Sequence, residues 1–154
     1  MQGDHAQLNR EEKAGFNLFM GKAKCGSCHF APLFNGTQSP QFSKSEAEVL
    51  GVPAKADTVN AAIDEDFGRY TLNPYPQYKY AFKTTTLRNV AKTAPYMHNG
   101  VYNTLEEVMD FYNRGGGAGI GIKLDNQTLA AAPLNLSKKE IQDIITFLKT
   151  LNDE

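Results

Sequence analysis

The sequence predicts an all-α domain in which a few helices are joined by long loops. Three segments combine a helix-capping residue with apolar residues at helical spacing, and no segment shows the alternation of a half-buried strand. A chain of 154 residues suits one domain, and its net charge of -1 offers no basic surface for nucleic acid. No apolar run approaches the ~20 residues of a membrane span. We therefore expect neither a nucleic-acid partner nor a membrane span.

Each predicted helix begins at a capping box, in which a Ser, Thr or Asn is followed three residues later by Glu. The predicted ranges are Asn9 to about Met20, Asn103 or Thr104 to Arg114, and Ser137 to Leu151. Gly115 is a natural stop for the second helix. The glycine-rich run that follows misses the spacing of a nucleotide-binding loop, and we expect it to be a flexible turn.

An irregular segment, residues 30–82, separates the first two helices and contains five of the seven prolines. Short helices are expected at 45–50 and 55–63. Because the segment is rich in Phe and Tyr, we expect an ordered wrap around a cofactor, with the aromatic rings as its wall. The alternative is a mobile surface loop.

Residues 25–29 read C-x-x-C-H, the attachment motif of a c-type haem. The thiols of Cys25 and Cys28 can bond the two vinyl groups of one porphyrin, and His29 can place an imidazole under the iron. A thioredoxin-like site would need a βαβ pattern, and a zinc site would need further ligands, for which only His5 and His98 remain. The motif therefore predicts one covalent haem, with the few helices packed around it.

The start of the chain has no charged region followed by an apolar run, so no signal peptide is visible. Bacterial c-type haem is normally attached outside the cytoplasm. We therefore interpret the chain as a mature or trimmed fragment whose native compartment is the periplasm. A chain made in the cytoplasm would instead carry Cys25 and Cys28 as free thiols or as a disulfide.

The second axial ligand decides the redox chemistry of such a haem. The candidates are Met97, His98, Met109 and Tyr112. Methionine is the common partner in electron-carrying cytochromes, which favours Met97 in the turn-like run at 93–100. The two methionines and the tyrosine could equally be core residues. His98 is better explained as a hydrogen-bonded core histidine.

Several motifs resemble the second haem segment of the bacterial dihaem cytochrome c peroxidases and MauG-like proteins. They are residues 24–29 followed by 32–34, Phe-Gly-Arg-Tyr at 67–70, FKTTTLRNVAKTAPYMHNG at 82–100, TLEEVMDFY at 104–112, and the final helix. The resemblance covers nearly the whole chain. It implies a class I cytochrome c-like fold and a single haem domain, residues 1–154, that forms the C-terminal half of a two-domain protein.

The resemblance also implies which residues hold the haem. In the peroxidase branch, a methionine on the helix after the Pro-Tyr-x-His-x-Gly turn binds the iron, and an ungapped alignment puts Tyr112 at that position. In the MauG-like branch a tyrosine takes this position. Tyr112 is therefore the implied second ligand, with Met97 as the alternative. Arg88 matches an arginine near the haem and is expected to pair with a propionate.

Partners follow from the same resemblance. The family carries two haems, whereas this chain has one C-x-x-C-H and no tryptophan. The expected partners are an N-terminal haem domain of the same protein and a redox protein or small reductant. Calcium, held partly by the carbonyl groups of Thr93 and Pro95, is expected only with that domain, and His98 is expected to be structural.

The implied function is electron relay in an oxidoreductase that acts with hydrogen peroxide. The isolated chain is not expected to be fully active as an enzyme. The alternative is a free-standing monohaem electron carrier.

Overall fold

Two helices that are far apart in the sequence pack closely in the computed structural model, which describes residues 7–153. They are α1 (Arg10–Met20) and α4 (Lys138–Lys149). Gly15 lies at their crossing, where a Cβ atom would overlap the carbonyl group of Asp143. Beside it, the Phe19 and Phe147 rings pack edge to face with centroids 5.4 Å apart. This crossing fixes the end of α1, from which the chain continues into residues 25–29.

The predicted helix starts are confirmed. Asn9, Thr104 and Ser137 each cap a helix through a complete capping box. Of the two alternatives for α2 (Leu105–Arg114), Thr104 is therefore the cap. Gly115, at φ 98°, ends this helix. Within residues 7–153 the longest helix has 12 residues, and none is long and apolar enough to cross a membrane.

The prediction of an all-α, class I cytochrome c-like domain is wrong, because the described residues also contain a small antiparallel sheet. Strand β1 (Ala47–Val49) pairs with β2 (Ala81–Lys83), with Glu48 opposite Phe82. The segment at 45–50 thus supplies a strand, and residues 55–63 form no helix. Three-residue strands are too short to show a period of two in the sequence, and their pairing is non-local. The fold is mixed, with four helices and one two-stranded sheet among the described residues.

The glycine-rich run after α2 forms a short helix, α3 (Gly116–Gly119), where the sequence predicts a flexible turn. The N–H of Gly117 donates to the carbonyl oxygen of Leu50 at 2.8 Å. A Cβ atom at Gly117 would lie 2.7 Å from the Cα of Gly51. The glycines therefore allow two backbone segments to approach closely, and their role is packing more than flexibility.

Helix α2 contributes to two separate apolar clusters. The first cluster surrounds the crossing of α1 and α4 and includes Leu105 and Met109 of α2. The second includes the buried Phe111, with Val108 and Tyr112 packed against it. Opposite sides of α2 are thus covered by the two clusters, and α2 lies between them.

Aromatic rings of residues 67–80 form a cluster at the surface. Phe67 packs against Tyr70 and Tyr80 with ring centroids 6.1 and 5.4 Å apart. The ammonium of Lys79 lies 5.0 Å from the Phe67 ring centroid. Phe67 itself is 42% exposed. Edge-to-face ring packing and a cation–π contact thus hold these side chains together.

Substitution of Gly15 by alanine is expected to destabilise the fold. The added methyl group would push α1 away from the Asp143 backbone and open the contacts of Phe19, at a cost of about 2 kcal/mol or more in the free energy of unfolding. Urea titration followed by circular dichroism measures this change. Asn17→Ala, at an exposed position of the same helix, is the control and should change the free energy of unfolding by less than about 0.5 kcal/mol. Equal stability of Gly15→Ala and wild type would contradict the close crossing.

Candidate haem-binding site

Residues 25–29 form a tight turn directly after α1. The first three residues form one 3₁₀ turn, Cys25–Ser27. The N–H groups of Cys28 and His29 donate to the Cys25 carbonyl oxygen at 3.2 and 2.9 Å. Both cysteines carry free, partly buried thiols. The turn thereby holds two thiols and one imidazole within five residues.

The His29 imidazole is oriented by the backbone of Phe34. Its Nδ1 lies 3.3 Å from the Phe34 carbonyl oxygen. Because a carbonyl oxygen only accepts hydrogen bonds, Nδ1 carries the proton. Burial lowers the pKa of His29, which favours the neutral ring. The backbone carbonyl groups of Phe34 and Thr85 act against this burial effect, because each favours the protonated ring.

The surroundings of Cys25 and Cys28 favour the protonated thiol over the reactive thiolate. Burial raises the pKa of Cys25 to about 12. Burial also raises the pKa of Cys28, and the negative charges of Glu48 and Glu46 add to the rise. Reactive cysteines instead have neighbours that stabilise a thiolate. We conclude that the protein without a bound group holds both thiols in the protonated form.

Tyr112 approaches the same turn from α2. Burial raises the pKa of its hydroxyl well above the usual value, and negative charge on Cys25, Cys28 or Glu48 would raise it further. The side chain of Tyr112 packs against the second apolar cluster. Within residues 7–153 no hydrogen bond satisfies the Tyr112 hydroxyl, whereas that of Tyr96 donates to a carbonyl oxygen at 3.0 Å.

The other three ligand candidates have different surroundings. Met109 is only 4% exposed and packs in the first apolar cluster. The ring of His98 stacks on Phe82 with centroids 3.6 Å apart, and its Nε2 lies 3.1 Å from Oδ1 of Asp64. His98 is thus engaged in structural contacts. Met97 packs partly buried against the second cluster, as Tyr112 does.

The sequence also singles out Arg88, Thr93, Pro95 and His5. Arg88 is exposed, and within residues 7–153 its guanidinium forms no ion pair. Thr93 and Pro95 are exposed in the loop before α2. His5 lies outside the described residues. No group of three His, Cys, Asp or Glu side chains within residues 7–153 could hold a metal ion.

Glu48 is a charged neighbour of the site that the sequence does not single out. It lies in the centre of β1, and its carboxylate acts on both Cys28 and Tyr112. An open cleft of about 710 Å³ lies along the same strand and is lined in part by Glu48, Glu46 and Arg69. Only the pairing of β1 with β2 brings Glu48 to this position, so a local sequence pattern carries no signal for it.

Comparison with known proteins gives relatives over the whole chain, although no family profile matches it. The cytochrome-c peroxidase IdrP2 of Pseudomonas sp. (strain SCT) is 34% identical over 173 residues, which cover 99% of this chain and 42% of the relative. The methylamine utilization protein MauG of Methylorubrum extorquens is 31% identical over 152 residues, which cover 99% of this chain and 37% of the relative. The chain is a homologue of the cytochrome-c peroxidases and MauG proteins.

The structure agrees with this relationship. The crystal structure of a MauG-like protein associated with microbial copper homeostasis has a TM-score of 0.73 and 30% identity, and the match covers 97% of this chain and 49% of that chain. The dihaem peroxidase BthA from Burkholderia thailandensis shares the fold, with a TM-score of 0.62 and 23% identity. This MauG homologue spans about two fifths of the length of the curated relatives it matches. The family resemblance of its motifs is confirmed.

The donor groups of the turn fit the c-type haem that similarity to cytochrome-c peroxidases implies. Two thiols and an imidazole lie within one turn, and α2 carries a partly buried phenol for which the described residues show no hydrogen bond. If Cys25 and Cys28 served only in thiol–disulfide exchange, the imidazole and the phenol would have no explained role. The thiols and the imidazole of the turn therefore fit a group that is bound covalently through sulphur and takes a nitrogen ligand.

Proposed function

We propose that this chain is the C-terminal, electron-relaying haem domain of a dihaem peroxidase or MauG-like oxidoreductase that acts with hydrogen peroxide. Homology to cytochrome-c peroxidases and to MauG over 99% of the chain supports the class of protein. The observation that carries the proposal is the C-x-x-C-H turn, which holds two thiols and an imidazole oriented by the Phe34 carbonyl group within five residues. The rest of the relatives' length would include the N-terminal haem domain, which is the proposed partner.

Each residue of the turn has a separate proposed role. Cys25 and Cys28 would hold the porphyrin through thioether bonds, and His29 would bind iron through Nε2. A c-type haem supplies reversible exchange of single electrons when it is bound. The Phe34 carbonyl group fixes the plane of the imidazole, and the ring of Phe19, 6.5 Å away, keeps it in the apolar core. Both contacts limit rotation of His29.

Tyr112 is the proposed second ligand. Burial and nearby negative charge keep its hydroxyl protonated in the protein alone. A metal cation reverses this balance, because it stabilises the anionic oxygen. A phenolate in turn stabilises the oxidised metal, which suits a domain that stores oxidising equivalents. Met97 is the alternative ligand, and a thioether at this position would favour a higher reduction potential.

Further assignments rest on the resemblance and on exposure. Arg88 is proposed to pair with a haem propionate, since its exposed guanidinium has no ion pair among the described residues. Calcium at the carbonyl groups of Thr93 and Pro95 would need a ligand from the second domain. The proposed compartment is the periplasm, where bacterial c-type haem is attached. A redox protein or a small reductant would supply electrons.

Covalent attachment is the first test of the proposal. Expressed with a bacterial haem-attachment system, the chain should gain roughly 0.6 kDa that survives denaturation, the expectation for a loaded C-x-x-C-H. Intact-mass spectrometry measures this gain. The double variant Cys25→Ala/Cys28→Ala should lose it, whereas a His98→Gln control should keep it. An unmodified mass under these conditions would overturn the proposal.

The optical and electron paramagnetic resonance spectra test the second ligand. We expect Tyr112→Phe to abolish the spectrum of a phenolate-bound ferric haem and to raise the reduction potential, since the anionic ligand is lost. Met97→Leu should leave both unchanged. A methionine charge-transfer band that survives Tyr112→Phe and disappears in Met97→Leu would assign the ligand to Met97. Reversible redox behaviour at positive potential would then favour a free-standing monohaem electron carrier.

The carboxylate of Glu48 is expected to tune the same centre. Glu48→Gln removes a negative charge near Cys28 and Tyr112, so the reduction potential should rise by roughly tens of millivolts. Protein-film voltammetry measures this shift. Glu46→Gln is the matched control and should shift the potential less, because Glu46 acts on Cys28 alone. Equal shifts in the two variants would contradict the position assigned to Glu48.

A further inference from the structure

The side chain of Met20 lies directly on the haem-attachment turn. Met20 is the last residue of α1, and it is 44% exposed. A Cβ atom placed on Gly26 would lie 2.6 Å from the Met20 Sδ atom and 2.9 Å from its Cε atom. Gly26 sits between the two cysteines of the motif. The thioether of Met20 therefore packs against the backbone that joins Cys25 to Cys28.

Met20 differs from the other methionines that the structure describes. Met109 is 4% exposed in the first apolar cluster. Met97 is partly buried against the second cluster. Of these three residues, Met20 alone combines a strongly exposed side chain with a contact to the motif. Of these three methionines, Met20 therefore has the side chain most open to an oxidant in solution.

We propose that Met20 is a peroxide-modification site whose oxidation loosens the haem-attachment turn. The sulphur lone pair attacks one oxygen of hydrogen peroxide, so an S–O bond forms and the O–O bond breaks. The other oxygen leaves as water. Methionine is oxidised by two electrons to the sulfoxide, and one peroxide is reduced. The inference rests on the proposed function for the presence of peroxide.

The contact with Gly26 explains why this oxidation would matter. Methionine sulfoxide is polar and carries an additional oxygen on the sulphur atom. Gly26 has no side chain, and the Met20 thioether occupies the space that a Cβ would need. A bulkier, solvated sulphur can no longer keep this close apolar contact. The end of α1 then separates from the turn, and His29 loses support on that side.

Limited peroxide treatment of the haem-loaded chain tests the site of oxidation. Peptide mass spectrometry should find the sulfoxide on Met20 roughly tenfold or more faster than on Met109. Methionine sulfoxide reductase should reverse the modification. Equal oxidation rates for the two residues would overturn the proposal.

The structural effect needs a second readout and a matched variant. Circular dichroism in the Soret region should change as Met20 is oxidised and recover after reduction. Met20→Leu keeps an apolar side chain on Gly26 without an oxidisable sulphur, so its Soret circular dichroism should return to that of the untreated protein once peroxide is removed and the haem is restored to its starting oxidation state, whereas that of oxidised wild type should not. An equal response of Met20→Leu and wild type would refute the effect on the turn.

The inference about Met20 can be tested even if the proposed function is wrong. If intact mass shows that the chain carries no haem, the alkylation rate of the Cys25 and Cys28 thiols replaces the Soret signal. Oxidation of Met20 should then increase this rate in wild type and leave it unchanged in Met20→Leu. An unchanged rate in wild type would overturn the inference about Met20.

Discussion

The close crossing of α1 and α4 is the constraint on which the candidate site depends. Because Gly15 has no side chain, the two helices approach until Phe19 and Phe147 interlock. Phe34 packs on the same rings, with centroids 5.9 and 5.8 Å from those of Phe19 and Phe147. The Phe34 carbonyl group is therefore held where it can accept from His29. Helix packing in this way sets the orientation of an imidazole.

The ionisable groups Cys25, Cys28 and Tyr112 have surroundings that disfavour their negatively charged forms. The pKa values of Cys25, Cys28 and Tyr112 are all raised, chiefly by burial. The Glu48 carboxylate adds to the rise in the pKa of Cys28 and of Tyr112. Among the described residues, no neighbouring cation lowers any of the three pKa values. Such a site favours a bound cation, because a positive charge would stabilise a phenolate and the nearby carboxylate together.

Sequence patterns predict the parts of this structure that depend on local chemistry. The helices that start after Asn9, Thr104 and Ser137 follow from capping boxes and apolar spacing. The C-x-x-C-H motif likewise lies within five residues. The sheet of β1 and β2 and the position of Glu48 depend on pairing between distant segments, for which three-residue strands leave no period to detect. The sequence of the glycine-rich run also does not decide its structure, since glycine permits both flexible turns and close backbone packing.

Helix α2 shows how the fold restricts the choice of the second ligand. Met109 and Tyr112 are one turn apart, and their spacing predicts a shared inward face. In the structure, Met109 belongs to the cluster at the α1 and α4 crossing, while Tyr112 packs in the other cluster and lies near both cysteines. A methionine one turn earlier therefore cannot replace the tyrosine without rotation of α2. Since both clusters hold this helix, such a rotation would disturb the core on each side.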